Sequence, residues 1–177
     1  MIKFFPDCCD FRGWSGVCCS KMLPKSDIMN TNTAILFIDD DEDDLGFFYQ
    51  AVKEIDRSIH CFLHKDSLSA MRLLEQDSEL CPDLIFLDLN MPKLSGKHCL
   101  SMIKHMVKHK NTPVIICTTS ASEKDMDDTW ALGASCYLTK PPTVPDWKYE
   151  ISEILSAFLK DKYSQLGVQG MAAGKDS

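Results

Sequence analysis

The chain has no apolar run approaching the ~20 residues that a membrane span requires; its longest, Ala34 to Ile38, is five residues. No secretory leader is expected at its start, because Asp7 and Asp10 interrupt the apolar residues there. Basic charge is not in excess: 19 Lys and Arg face 26 Asp and Glu, for a net charge of −7. The deficit is concentrated, with 21 acidic and 13 basic side chains in residues 30–160. This argues against nucleic acid as a direct ligand, since phosphate contacts need clustered Lys and Arg. No internal repeat and no second domain are visible in the 177 residues. Nine cysteines, an odd number at irregular spacing, do not form the framework of a secreted disulfide scaffold. A reducing, cytoplasmic setting is expected. Cys61, Cys81, Cys99, Cys117 and Cys136 fall in periodic segments and read as small core residues. The doublets Cys8-Cys9 and Cys18-Cys19 lack the C-x₂₋₄-C spacing of a thiolate zinc site.

What is present begins at Thr33. Residues 1–32 lack sustained periodicity and contain Pro6, Gly13, Gly16 and Pro24, so they read as a disordered extension, or as translation begun upstream of a natural start at Met29. From Ala34 short apolar runs alternate with helical patterns five times. The runs are Ala34–Ile38, a weaker Ile59–Leu63, Leu84–Asp88, Val114–Cys117 and Cys136–Thr139. Between them, Asp43–Ile55 places Leu45, Phe48, Val52 and Ile55 at helical spacing. Asp66 caps a helix through Leu74 with Leu68, Met71 and Leu74 inward, and Lys97–Lys108 forms a basic helix. Ser122 caps a helix to Leu132 that ends at Gly133, and a last amphipathic helix carries Trp147, Ile151, Ile154, Leu155 and Phe158. Continuous apolar strands alternating with helices predict an α/β fold, a doubly wound five-stranded parallel sheet with helices on both faces, over residues 33–162. Residues 163–177, with Gly167, Gly170 and Gly174, are expected to be a disordered tail.

Four of the strands end in chemistry: Asp39-Asp40, Asp88, Thr118 and Lys140. In an open parallel sheet these ends share one edge, where such folds bind ligands. Three carboxylates, a hydroxyl and an ammonium then meet, a set suited to a divalent cation and a phosphoryl group. Lys140 has little structural reason to end an apolar strand, because a buried ammonium is costly unless paired; Asp88 is its expected partner. Asp41, Glu42, Asp43 and Asp44 read as a solvated first helical turn at the positive end of the dipole.

The pattern Ile38-Asp39-Asp40, Leu87-Asp88-Leu89-Asn90-Met91-Pro92 with Gly96, Pro113 to Thr118, and Tyr137-Leu138-Thr139-Lys140-Pro141 resembles the receiver domain of bacterial-type response regulators. Asp88 to Thr118 is 30 residues and Thr118 to Lys140 is 22, as in the single-domain chemotaxis receiver. The resemblance implies a flavodoxin-like sheet of order 2-1-3-4-5 with its switch point between the first and third strands. It implies that Asp88 is the phosphoacceptor and that Mg²⁺ is held by Asp40 directly, Asp39 through water, Asp88, and the backbone carbonyl of Asn90. Thr118 and Lys140 would stabilise the transferred group, and Tyr137 would turn inward as Thr118 moves onto the phosphoryl oxygen. It implies a sensor histidine kinase or histidine phosphotransfer protein as donor, and a protein target on the face of helix 4, strand 5 and helix 5. Thr119 is bulkier than the family's usual Ala or Gly, and Ser120 and Asn90 flank the path of an attacking water.

Two other readings remain open. Asp39-Asp40-Asp41 could serve as the Asp-x-Asp of a haloacid-dehalogenase-type phosphohydrolase, although Glu42-Asp43 stands where Thr or Val normally follows and no strand-ending acidic pair comes after Lys140. A receiver that works as a constitutive binding module would keep the same residues and lack a Mg²⁺ response.

Overall fold

A computed structural model of the chain describes residues 2–4, 33–77 and 79–159. The remainder of the expected N-terminal extension, with both cysteine doublets, and the expected C-terminal tail lie outside the described residues. In chain order the elements are β1 (Ile2–Phe4), β2 (Ala34–Ile38), α1 (Glu42–Ile55), β3 (His60–His64), α2 (Ser67–Gln76), β4 (Leu84–Leu87), α3 (Gly96–His105), β5 (Val114–Thr118), α4 (Glu123–Ala131), β6 (Cys136–Thr139) and α5 (Val144–Phe158).

The sheet order is β1-β6-β5-β4-β2-β3. Five strands, β3-β2-β4-β5-β6, are parallel in the expected 2-1-3-4-5 arrangement. The sixth corrects the expectation: β1 pairs antiparallel with β6 at the edge of the sheet. Residues 2–4 are therefore strand rather than disordered extension. Three residues are too short to show a period, which is why the alternation of Ile2, Lys3 and Phe4 carried no signal.

Continuous apolar strands mean that both faces are covered, and two separate cores show it. On one face, Ile35, Phe37, Leu84, Phe86, Ile115 and Leu138 pack under α1 and α5. On the other, Leu36, Ile38, Ile85, Leu87, Ile116 and Tyr137 pack under α2, α3 and neighbouring loops. An aromatic group anchors the first core near the ends of β2 and β4: the Phe37 and Phe48 centroids are 4.6 Å apart, Phe48 meets Phe86 at 4.8 Å, and Trp147 stands edge-on to Phe48 at 5.8 Å. Such pairs add about 0.5–1.5 kcal/mol beyond their burial.

Caps set the helix starts. Asp41 accepts from the amides of Asp43 and Asp44, Asp66 from Ser69, Ser122 from Asp125 and Thr143 from Asp146. Gly133 follows α4 at φ 91°, the left-handed position in which glycine is unstrained. Two further expectations need correcting. The inward stripe of α2 is Ser67, Ala70, Met71 and Leu74; Leu68 points out and is 41% exposed. The Asp66 cap fixes the phase of the helix and turns position 68 away from the sheet. The basic helix stops at His105 instead of Lys108, since the amides of His109 and Lys110 turn back onto the Met106 carbonyl.

Candidate functional site: an acidic pocket at the strand ends

Each candidate side chain stands where a strand stops. The amide of Asp39 donates to the His64 carbonyl, that of Asp88 to Ile38, and that of Lys140 to Thr118, so the ladder of the sheet holds the three strand ends side by side. Asp39 is fully buried, Asp88 is 3% exposed and Thr118 is buried. Asp40 is exposed at the mouth. One oxygen from each of Asp39, Asp40 and Asp88 lies within 4.8 Å of the others. Three hard anionic oxygens at that spacing suit Mg²⁺, which prefers octahedral oxygen ligands and keeps several waters.

Lys140 is the counter-charge. Its Nζ lies 2.7 Å from Asp39 Oδ2, 2.7 Å from Asp44 Oδ2 and 3.7 Å from Asp88 Oδ1. The expected Asp88 partner is thus the longest of three contacts. Asp44, read from the sequence as a solvated turn residue, is a close partner of the ammonium. Its signal was available in outline: a strand-ending lysine needs compensating charge, and α1 starts with three acids, Glu42, Asp43 and Asp44. Asp41, Glu42 and Asp43 are the solvated turn the sequence suggested.

The remaining oxygens are held by donors. Asp39 Oδ1 accepts from the Asp41 amide at 3.0 Å, and Asp88 Oδ2 from the Asn90 amide at 2.9 Å. Thr118 Oγ1 accepts from Asn90 Nδ2 and from the Ser120 amide, both at 3.3 Å. The Tyr137 hydroxyl donates to the Ser120 carbonyl at 2.9 Å. Ser120 therefore joins Thr118 to Tyr137, a role that sequence reasoning did not assign to it. The Tyr137 ring already lies inside the protein at 1% exposure. Ser120 Oγ also donates to Asp125, which pairs with Lys97 of α3 at 2.9 Å.

One ammonium among these carboxylates leaves unbalanced negative charge. Burial pushes the Asp39 carboxyl up to about 6, against the opposing contacts of Lys140 and the Asp41 amide. Burial raises Asp88 as well, with Lys140 and the Asn90 and Leu89 amides resisting. Burial works to lower the Lys140 ammonium, but its bonds to Asp39 and Asp44 outweigh that and hold it above the usual lysine range.

A pH dependence follows. Folded Asp39 keeps its proton to about pH 6, whereas the ordinary value is 3.8. Between these values the folded state binds more protons, so this group's contribution to stability falls as pH rises through the window. At 1.36 kcal/mol per unit, a shift of roughly two units sets a ceiling of about 3 kcal/mol. The stability of the wild type relative to Asp39→Asn, from metal-free urea melts, is expected to decline between about pH 4 and pH 6 and level off above. A difference independent of pH would mean that Asp39 ionises as an ordinary carboxyl.

The model of the family described as response regulator receiver domain matches residues 35–151. The chain belongs to this family. Receivers are signalling modules rather than classical enzymes. The response regulator Rcp1 of Synechocystis sp. is 33% identical over 139 residues, covering 76% of this chain and 95% of Rcp1. The crystal structure of Mn²⁺-bound Rcp1 matches with a TM-score of 0.63 over 70% of this chain and 92% of that one. The phosphorylated cyanobacterial phytochrome response regulator RcpA matches with a TM-score of 0.67 at 28% identity, over 73% of this chain and 96% of that one. The flavodoxin-like fold is the receiver fold, here with an added antiparallel edge.

Proposed function

We propose that the chain is a receiver that takes a phosphoryl group from a phosphohistidine, on a sensor histidine kinase or a histidine phosphotransfer protein, onto Asp88. One observation carries the reading: Asp39, Asp40, Asp88, Thr118 and Lys140 converge at one end of the parallel sheet. An Asp88 oxygen attacks phosphorus, the bond from phosphorus to the donor imidazole breaks, and its electron pair returns to the imidazole nitrogen. Asp39, Asp40, Asp88 and the Asn90 carbonyl would hold Mg²⁺, and the bound cation would neutralise charge on the phosphoryl oxygens. Rcp1, to which the chain is similar, was crystallised in an Mn²⁺-bound form, which supports binding of a divalent cation.

Lys140 then exchanges part of its carboxylate shell for a phosphoryl oxygen, adding fixed positive charge where negative charge develops. Thr118 turns its hydroxyl from its present donors to another phosphoryl oxygen. That movement pulls on Ser120 and, through its carbonyl, on Tyr137. The conformational output appears on the face of α4, β6 and α5 and is read by a protein partner, or the phosphoryl group passes onward in a phosphorelay. The odd number and irregular spacing of the cysteines support a cytoplasmic setting. Separately, among the described residues no helix is long and apolar enough to cross a membrane.

The test is mobility in a phosphate-affinity gel after incubation with phosphoramidate. A retarded band is expected with Mg²⁺ and none with excess chelator. A band that forms equally in chelator, or no band in Mg²⁺, would overturn the reading. Modification mapped to Asp39 instead of Asp88 would place the chain with the dehalogenase-type hydrolases.

A further inference from the structure

To reach a phosphoryl oxygen, Thr118 must leave its resting donors, and Ser120 supplies one of them: its amide donates to Thr118 Oγ1 at 3.3 Å. Ser120 is itself fixed from three sides. Its carbonyl accepts from the Tyr137 hydroxyl at 2.9 Å, its hydroxyl donates to Asp125 Oδ2 at 2.8 Å, and that same hydroxyl oxygen accepts from the Ser122 amide at 3.3 Å. Ser122 caps α4, and Asp125 stands three residues on. In a capping box the side chain at that place reaches back to the cap's own amide. Here the Ser120 hydroxyl is interposed between the two, so a loop residue is built into the start of the helix.

Asp125 is tied in turn to α3. Lys97 Nζ lies 2.9 Å from Asp125 Oδ1 and 2.6 Å from Asp128 Oδ2. Asp125 thus gives one oxygen to Lys97 and the other to Ser120. Lys97 is well anchored, because it follows Gly96, whose amide donates to the Leu89 carbonyl at 3.1 Å. The contacts therefore run from the backbone behind Asp88, through Lys97 and Asp125, to the residue that holds both Thr118 and Tyr137. The side chains of Lys97 and Asp125 are 31% and 30% exposed. Pairs this open to water add little to folding, but this one sits where a small energy can bias a small movement.

We infer that Lys97 and Asp125 are positioning residues for the Thr118 step: they latch Ser120, and through it Thr118, in the resting arrangement, and so oppose phosphorylation of Asp88. The inference rests on the reading of Asp88 as the phosphoacceptor. Turning the Thr118 hydroxyl to a phosphoryl oxygen takes away the acceptor of the Ser120 amide. The loop after β5 must then shift, and the Ser120–Asp125 bond or the Lys97–Asp125 pair stretches with it. An interaction stronger at rest than after phosphorylation favours the unphosphorylated state by the difference. For a pair this exposed the bias is about two- to fivefold.

The test is the phosphoramidate concentration that gives a half-maximal retarded band in Mg²⁺, together with hydrogen exchange of the Ser120 and Ser122 amides in the metal-free chain. Lys97→Met and Asp125→Asn are each expected to lower that concentration about two- to fivefold. The double variant should go no further than either alone, because each breaks the same pair. Lys97→Arg keeps the charge and is expected to behave as the wild type. So is Asp127→Asn, which removes an exposed α4 carboxylate outside the latch. In Lys97→Met the Ser120 and Ser122 amides are expected to exchange about two- to fivefold faster, with β2 and β4 unchanged. Loss of a merely structural pair would speed exchange throughout the fold and leave the half-maximal concentration where it is. An unchanged or higher concentration in either single variant, additive effects in the double variant, or unchanged exchange at Ser120 and Ser122 overturns the inference. A wild type that forms no Mg²⁺-dependent band overturns the reading of Asp88 and this inference with it, whereas a normal wild-type band with unresponsive variants removes the inference alone.

Discussion

Asp88→Asn is expected to abolish Mg²⁺-dependent phosphorylation entirely while making the metal-free protein more stable. The loss is total because an amide oxygen is a poor nucleophile toward phosphorus and no neighbour can take its place. Asp39 is fully buried and engaged with Lys140 and the Asp41 amide. The gain in stability has a separate cause. Burial raises the Asp88 carboxyl, which means that ionised Asp88 is held at a cost in the folded state. Its nearest cation is 3.7 Å away and is shared with two closer carboxylates. An asparagine oxygen can still accept from the Asn90 amide, so the turn after β4 survives without the charge. For a chain of this size each kcal/mol moves the midpoint by about 2–4 °C, and a rise of that order is expected in chelator. Added Mg²⁺ should narrow the difference, since the wild type gains a ligand that the variant holds less well. A variant clearly less stable than wild type in chelator would show that Asp88 is held by favourable contacts rather than by a crowded acidic pocket. A variant that still forms the retarded band would remove Asp88 from the chemistry.

The parallel sheet was legible because its strands are covered on both faces: Ala34–Ile38 and Leu84–Leu87 are unbroken apolar runs, and no helix of that length would be. The pocket was legible because side chains that end the strands of one parallel sheet share an edge. What escaped was set by contacts between distant parts of the chain. Asp44 looks like any acid in a first helical turn until α1 and β6 bring it within 2.7 Å of Lys140. Ser120 reads as a loop serine, and its tie between Thr118 and Tyr137 depends on where the loop after β5 runs. Leu68 fits an apolar stripe by count alone; the cap at Asp66 decides the phase. Residues 2–4 are too few to carry a period, and their strand exists only because β6 offers an open edge.

Gly96 was legible only through the resemblance, and the structure supplies its reason. A Cβ built there would stand 2.1 Å from the Asp88 carbonyl oxygen, 2.7 Å from Leu89 Cα and 2.9 Å from the Asp88 carbonyl carbon. All three are backbone atoms, so no rotamer change relieves the overlap. The close approach is also fastened, since the Gly96 amide donates to the Leu89 carbonyl at 3.1 Å. Overpacking in a core typically costs about 1–3 kcal/mol when side chains can yield. Here the first turn of α3 and the Asp88–Leu89 backbone must separate, and Gly96→Ala is expected to lose about 3 kcal/mol or more in urea unfolding. Because the atoms displaced belong to Asp88 and its successor, phosphorylation should slow in whatever fraction remains folded. Gly46 gives the contrast within the same chain. It lies inside α1 with nothing within 4 Å of a built Cβ, so Gly46→Ala is expected to stabilise the protein by about 0.5–1 kcal/mol through helix propensity alone. If both alanines shifted stability in the same direction, the contact between α3 and the turn after β4 would not be the tight one these distances describe.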